Sequence, residues 1–320
     1  MRVLLTGAAG FIGSSVAEAL LSRGDEVVGL DNIDPFYDRS HKERNLRELG
    51  RHPGFAVHIG TILDARLLDT LLAGVDRVVH LAALAGVRPS IAEPARYMRV
   101  NVEGTTEVLE ACCRRSVKRL IVASSSSVYG VRSKTPFSES DPCDRPASPY
   151  AASKRAAEHI CATHHHLYGL GVTCLRYFTV YGPRQRPEMA IHKFIRRTFA
   201  GESVPMFGDG NSGRDYTYID DIVAGTLAAL DRQDGAFHVY NLGGAHPVLL
   251  RDLLAAIGEA TGRPVDIDEQ PWQAGDVPIT SADVSLAEAE LGYSPRVGLA
   301  EGLERFVEWY RETMLGRATA

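Results

Sequence analysis

The chain has 320 residues, 45% of them hydrophobic and 23% charged, a balance typical of a water-soluble globular protein. With 35 basic against 40 acidic residues the formal net charge is −5, which gives no global attraction for nucleic acid or an anionic membrane. No stretch approaches 18 consecutive apolar residues, so no membrane span is expected, and an apolar strand beginning by Val3 leaves no room for a signal peptide.

In chain order, VLLTG (3–7) reads as a short buried strand running into Gly7-Ala8-Ala9-Gly10-Phe11-Ile12-Gly13. Ile12, Val16, Ala19 and Leu20 then recur at helical spacing. EVVGLDN makes a second strand that ends at Asp31. Apolar strands follow at 55–60, 76–83, 119–124 and 172–178, and helical patterns cover 101–115 and 150–168. This alternation predicts an α/β fold, a Rossmann-type doubly wound parallel sheet. From Tyr181 the rhythm breaks. Residues 1–179 are therefore expected to form a dinucleotide-binding domain, to which the chain returns around 216–243. Residues 180–320 are expected to form mainly a smaller C-terminal substrate-binding domain.

The glycine loop follows a strand, opens a helix and has an acid at the end of the next strand, the context a dinucleotide fingerprint requires. Gly7, Gly10 and Gly13 let the backbone approach a pyrophosphate, while Phe11 and Ile12 begin a helix whose N-terminus favours the anion. Asp31, with Asn32 beside it, would accept from the adenosine ribose and repel a 2′-phosphate, which selects NAD over NADP. The spacing is GxxGxxG, one residue longer than the usual form.

Further on, ASSSSVYG ends an apolar run with four consecutive serines, and Tyr150 and Lys154 stand four apart in a helical pattern. Side chains at i and i+4 leave one helix face together, so an ammonium at 154 can lower the pKa of the phenol and make Tyr150 a base.

With these residues in view, the chain resembles the extended short-chain dehydrogenase/reductase family in its nucleotide-sugar epimerase/dehydratase branch. TGAAGFIG, LDN, HLAA, ASSSSVYG, SPYAASK, YGPRQRPEMA, GRDYTYIDD and GDV carry the likeness over nearly the whole chain. The resemblance implies a Ser-Tyr-Lys set, Ser125, Tyr150 and Lys154, that oxidises a sugar hydroxyl with bound NAD, with Ser127 also near the sugar. It places Leu81, Ala82 and Ala83, with Tyr150 and Lys154, along the cofactor. Asn101 is either the structural asparagine of the family or a cap opening its helix. Where relatives have Asp-Ile at the adenine, this chain has Thr61-Ile62, which can hydrogen-bond but carries no charge.

The serine row narrows the reaction. Dehydratases of this branch place an Asp-Glu pair, and decarboxylases a Glu, where this chain has Ser126 and Ser127. A hydroxyl does not replace a carboxylic acid, so the resemblance implies exchange at C4 alone, an epimerisation. FTVYGPRQRPEMA, AGVRPS and HLYGL resemble the UDP-glucuronate 4-epimerases, and Thr179 stands where UDP-glucose epimerases typically carry Asn. A guanidinium suits a uronate carboxylate, with Arg186 foremost and Arg184 and Arg88 as alternatives. UDP-glucose epimerisation, UDP-glucuronate decarboxylation and a non-catalytic NAD sensor are the competing readings.

In the second half, Arg214 resembles a diphosphate-binding arginine, or is a loop arginine facing solvent. Val204 and Phe207 either flank a uracil or pack in the core, and Asp276 either bounds the nucleotide pocket or belongs to a turn. His164-His165-His166 point about 100° apart around a helix and cannot converge on one ion, so no metal is expected. Five cysteines without metal or CxxC spacing predict reduced thiols and a cytoplasmic protein. By the resemblance the chain forms a homodimer through 101–115 and 150–168, with a UDP-sugar as its small-molecule partner.

Overall fold

A computed structural model describes residues 1–132, 134–271 and 278–316. The first half runs β1 (Arg2–Thr6), α1 (Phe11–Ser22), β2 (Glu26–Asp31), α2 (Arg39–Leu49), β3 (Phe55–Ile59), α3 (Ala65–Leu71) and β4 (Arg77–His80). Then come α4 (Val87–Ala92), α5 (Pro94–Met98), α6 (Gly104–Arg114), β5 (Arg119–Ser125), α7 (Pro149–Tyr168) and β6 (Gly171–Tyr177). The remainder is β7 (Thr179–Tyr181), α8 (Ala190–Ala200), β8 (Val204–Phe207), β9 (Gly213–Tyr218), α9 (Ile219–Asp231) and β10 (Phe237–Leu242). It ends with β11 (Pro247–Leu249), α10 (Leu250–Thr261), β12 (Ile267–Gln270), α11 (Ser285–Leu291) and α12 (Leu299–Met314).

Seven strands in the order β10-β6-β5-β4-β1-β2-β3 form one sheet, and every pairing in it is parallel. β1 shows why the central strands are continuous apolar runs. Its residues alternate between faces, Val3 and Leu5 entering one core and Leu4 the other, and both cores are covered by helices. Strand order reverses between β1 and β4, so a crevice opens at their C-terminal ends, where ligands bind in such sheets. Phe237–Leu242 joins the main sheet beside β6, and α9 packs on α1. Beyond the sheet, β11-β9-β7 and β12-β8 form two small sheets.

The helix read over 101–115 is more complex. Arg99–Glu103 is a π-helical turn, and α6 starts after it. Asn101 lies inside that turn and caps nothing. Its side chain accepts from Leu84 N (2.8 Å) and donates to Leu84 O and Ser153 Oγ (both 2.9 Å), joining the loop after β4 to α7. The three histidines turn to different partners. His164 meets Ile160 O and Glu110, His165 meets Leu170 O, and His166 is exposed.

Beneath the serine row, Glu158 on α7 and Arg176 on β6 form a buried bidentate pair with both contacts at 2.9 Å. Glu158 also accepts from Ser124 Oγ (2.5 Å) and Arg155 (2.7 Å), while Arg176 donates to the Tyr129 hydroxyl (3.0 Å). Burial disfavours the Glu158 carboxylate, but the hydrogen bonds and charge of Arg176, helped by Ser124 and Arg155, outweigh it and hold its pKa below the ordinary 4.5. Its contribution to stability is therefore complete above that ordinary value and is lost as pH falls through the lowered one. Glu158→Ala strands the Arg176 charge and is expected to cost roughly 3–5 kcal/mol in denaturant unfolding at neutral pH. That cost should shrink on acidification. An unchanged unfolding midpoint would show that the pair does not hold these three elements together.

Candidate active site

The crevice at the β1/β4 switch point is lined at one end by Gly7, Gly10, Phe11, Ile12 and Gly13 and by Asp31 and Asn32. Gly7 has φ of +73°, and a Cβ there would lie 2.8 Å from Ala82 N; a Cβ on Gly13 would lie 2.0 Å from Gly7 O. The loop can take this path only without side chains at these positions. Asp31 is buried, and its carboxylate accepts from Ala9 N (3.0 Å) and Ile33 N (2.8 Å). These bonds use one lone pair on each oxygen, so acceptor capacity remains for ribose hydroxyls. Asn45 of α2 ties the loop down by donating to Ala9 O (2.9 Å).

Thr61, Ile62, Leu81, Ala82 and Ala83 line the same crevice. The Thr61 hydroxyl accepts from Leu63 N (3.2 Å), a local turn bond in place of a charge. Behind the wall, His80 bridges Thr6 Oγ1 (2.7 Å) and Thr105 Oγ1 (3.0 Å), joining β1, β4 and α6. Burial, reinforced by the Lys154 charge, lowers its pKa to about 3, so the imidazole is neutral. Asn101 lies just outside the lining and supports it through Leu84.

At the other end the lining is Ala123, Ser124, Ser125, Tyr150, Lys154, Tyr177, Phe178 and Arg186. α7 brings Tyr150 and Lys154 here because Ser148 caps it, accepting from Ala151 N, and Pro149 begins its first turn. The Ser125 hydroxyl caps the next turn, accepting from Ser127 N (3.2 Å) and donating to Ser127 Oγ (3.1 Å). Burial raises the Tyr150 pKa, and a hydrogen bond with Ser125 and the Arg186 charge pull against it. The expected Lys154–Tyr150 coupling is not what perturbs the phenol in this structure. Lys154 Nζ instead donates to Ala123 O (2.8 Å), and burial lowers its pKa to about 8. Tyr97, fully buried, meets the Tyr150 ring edge-on at 6.3 Å and donates to Ala85 O (2.8 Å).

The arginines separate clearly. Arg186 lines the crevice, stands over the Phe36 ring at 5.7 Å and pairs with Glu188 at 3.2 Å. Arg184, in the left-handed region at φ +67°, is bound to Glu18 (2.6 Å) and Glu48 (3.1 Å), so it clamps α1 to α2 and faces away from the crevice. Arg88 lies over the Phe207 ring at 5.6 Å, and Arg214 donates to Gly213 O at 2.9 Å; neither lines the crevice.

Of the two readings open to Val204, the structure has it packed in the main core, 0% exposed in β8. Phe207 keeps partial exposure beside Arg88. Thr179 pairs with Tyr216 in the small sheet, and Ser126 and Ser127 lie half-buried on the turn after β5. Asp276 lies outside the described residues. Among the described residues no cluster of three or more His, Cys, Asp or Glu could hold a metal, and no helix is long and apolar enough to cross a membrane.

Sequence reasoning missed Phe36, Tyr37 and Lys42, which come from the segment after β2 and line the crevice between its two ends. Lys42 is buried with its Nζ on Asp34 O (3.0 Å) and over the Tyr37 ring at 4.9 Å. FYD and HKER read as ordinary polar chain, and only the fold turns them inward.

Comparison with known proteins agrees with this fold. The model of the NAD dependent epimerase/dehydratase family matches residues 3–243. UDP-glucuronate 4-epimerase 4 of Arabidopsis thaliana is 45% identical over 97% of this chain and 75% of its own. UDP-glucuronate 4-epimerase of Thermodesulfobacterium geofontis is 40% identical over 97% of this chain and 96% of its own. The crystal structure of UDP-glucuronic acid 4-epimerase from Bacillus cereus, in complex with UDP-glucuronic acid and NAD, superposes with a TM-score of 0.93 at 37% identity, covering 98% of this chain and 99% of that one.

Because a Cβ on Gly13 has no room, Gly13→Ala should force the loop apart and yield protein with little bound dinucleotide. Nucleotide released on denaturing the purified variant measures this, and occupancy equal to the parent would contradict it.

Proposed function

The chain belongs to the NAD dependent epimerase/dehydratase family, and from that premise we propose that it interconverts UDP-glucuronate and UDP-galacturonate by epimerisation at C4. The observation that carries this reading is one crevice that joins Ser125, Tyr150 and Lys154 to Arg186, beside a serine row that offers no carboxylic acid. The near full-length likeness to UDP-glucuronate 4-epimerases supports it.

The crevice fits NAD on its own evidence. Gly7 and Gly13 leave a side-chain-free cradle, Asp31 retains acceptor capacity, and the helix N-terminus stands at the loop. When bound, NAD would supply the acceptor and donor of the C4 hydride. The protein supplies the proton chemistry. Tyr150 takes the proton of the 4-hydroxyl and returns it to the oxygen of the opposite epimer. By turning its one hydroxyl proton from Ser127 Oγ to the phenol oxygen, Ser125 would favour the ionised form, as does the Arg186 charge. Lys154 keeps an ammonium one helical turn from Tyr150 and holds the end of β5 through Ala123 O. The 4-ketosugar turns about its diphosphate linkage between the two half-reactions.

The intermediate is a β-keto acid, which loses CO₂ when the breaking C–C bond aligns with the carbonyl π-system. Arg186 binding the carboxylate bidentately holds that bond near the carbonyl plane and protects the product. The hydroxyls of Ser126 and Ser127 add no strong acid to trap an enolate.

Other parts of the reading are proposals of the same kind. Residues 1–179, with the return at 216–243, form the cofactor domain, and the remainder of 180–320 forms the sugar-nucleotide domain with Thr179, Phe207 and Arg214 near the ligand. The family resemblance supports a homodimer built on α6 and α7, which lie side by side in the chain. Five free cysteines, all but Cys113 buried, suit the reducing cytoplasm.

Purified protein incubated with UDP-glucuronate should accumulate UDP-galacturonate; its absence overturns the reading, and UDP-xylose or a pentosyl ketone as main product would indicate decarboxylation. Tyr150→Phe should lower turnover by about 10²–10⁴-fold while NAD stays bound. The base must be ionised, and Ser125 favours ionisation. Ser125→Ala should therefore move the acidic limb of the kcat/KM–pH profile to higher pH. A limb that stays in place would remove Ser125 from this role.

A further inference from the structure

We infer that Glu188 is a positioning residue that sets Arg186 to receive a carboxylated sugar, an inference that rests on the reading of this crevice as a uronate site. Arg186-Pro187-Glu188-Met189 closes as a β-turn, Met189 N donating to Arg186 O (3.1 Å), with proline at the second position where its fixed φ favours the turn. The turn brings the side chains of its first and third residues together, and Arg186 Nε meets Glu188 Oε1 at 3.2 Å. The Phe36 ring lies against the guanidinium at 5.7 Å. The fork is thus held on one face by an aromatic ring and at Nε by a carboxylate.

The choice of Nε matters. A carboxylate binds arginine bidentately through two parallel N–H bonds, and the outer edge formed by Nη1 and Nη2 is one that can give them. Glu188 fixes the plane of the guanidinium without using that edge. Glu188 does not itself line the crevice, and its side chain is 40% exposed, so it acts on the ligand only through Arg186. An ion pair this exposed contributes little to folding, and its consequence lies in orientation. Orientation is also what the chemistry needs, since a β-keto acid whose carboxylate swings out of the carbonyl plane loses CO₂.

The test compares Glu188→Ala and Glu188→Gln with the parent holoenzyme, titrating each with UDP-glucuronate and with UDP-glucose by calorimetry and assaying the products from UDP-glucuronate. Glu188→Ala should weaken UDP-glucuronate binding by up to about fivefold, the ordering lost with one partly exposed ion pair. It should leave UDP-glucose binding within about twofold and raise the share of decarboxylated pentosyl product. Glu188→Gln loses the charge but keeps an oxygen that can accept from Nε, and should restore part of the affinity and product fidelity. Equal losses for both sugars, no loss for either, or a glutamine no better than alanine would overturn the inference. Failure of the uronate reading itself appears differently, as a parent enzyme that does not epimerise UDP-glucuronate.

Discussion

The bidentate pair between Glu158 and Arg176 is the constraint on which the reacting end of the molecule depends. It lies below the serine row and joins α7, which carries Tyr150 and Lys154, to β5 through Ser124 and to β6 through Arg176. Arg176 extends it to Tyr129, whose hydroxyl donates to Asn241 on β10 (2.6 Å), so four elements share one hydrogen-bonded network. Buried ion pairs often contribute little net stability relative to an apolar replacement. Here the directionality of the bonds matters more. An apolar contact would let α7 slide along the sheet, whereas a forked guanidinium against a carboxylate permits one register. Phenol and serine hydroxyl can then meet because the helix and the strand beneath them cannot shift independently.

The crevice built on that frame has two ends of opposite charge. Asp31 is the carboxylate at the glycine-loop end, held by two backbone N–H groups, and Arg186 is the guanidinium at the reacting end. A molecule with ribose hydroxyls at one end and a carboxylate at the other is complementary to this arrangement. Neutral His80, behind the wall, adds no charge of its own while joining three elements. The same Arg186 that would take a carboxylate also lowers the cost of ionising Tyr150, so substrate recognition and base strength share a residue.

What could be read from the chain without its fold was whatever depends on local pattern. β1, β2, β5 and β6 are apolar runs, and the glycine loop and the Tyr150/Lys154 pair are spacings, so each was visible. Arg184 and Arg186 sit two residues apart in one motif, and nothing local separates them. The left-handed conformation at Arg184 and the acids Glu18 and Glu48, distant in sequence, send one away and leave the other in the crevice. For Val204 the pattern left two readings open, because an apolar residue before a glycine turn looks alike whether it faces a base or a core. Lys42 and Tyr97 enter through long-range packing alone. Glu158 does leave a signal: it follows Lys154 by four on the buried face of α7, where a lone acid requires a cation.

The serine row takes its meaning from this combination of frame and charge. Ser124 serves structure, its hydroxyl spent on Glu158; Ser125 faces the phenol; Ser126 and Ser127 occupy the turn where an acid would change the reaction. Four identical side chains thus divide into three duties because the strand alternates its faces and then ends in a tight turn. Strong acids are kept out of the turn while a guanidinium stands across the crevice, so a ketosugar formed here meets a base and a fixed cation and no general acid from the turn. On the proposed reading, these surroundings favour return of hydride and proton as the exit for the intermediate. Specificity for epimerisation then follows as much from the groups withheld as from those supplied.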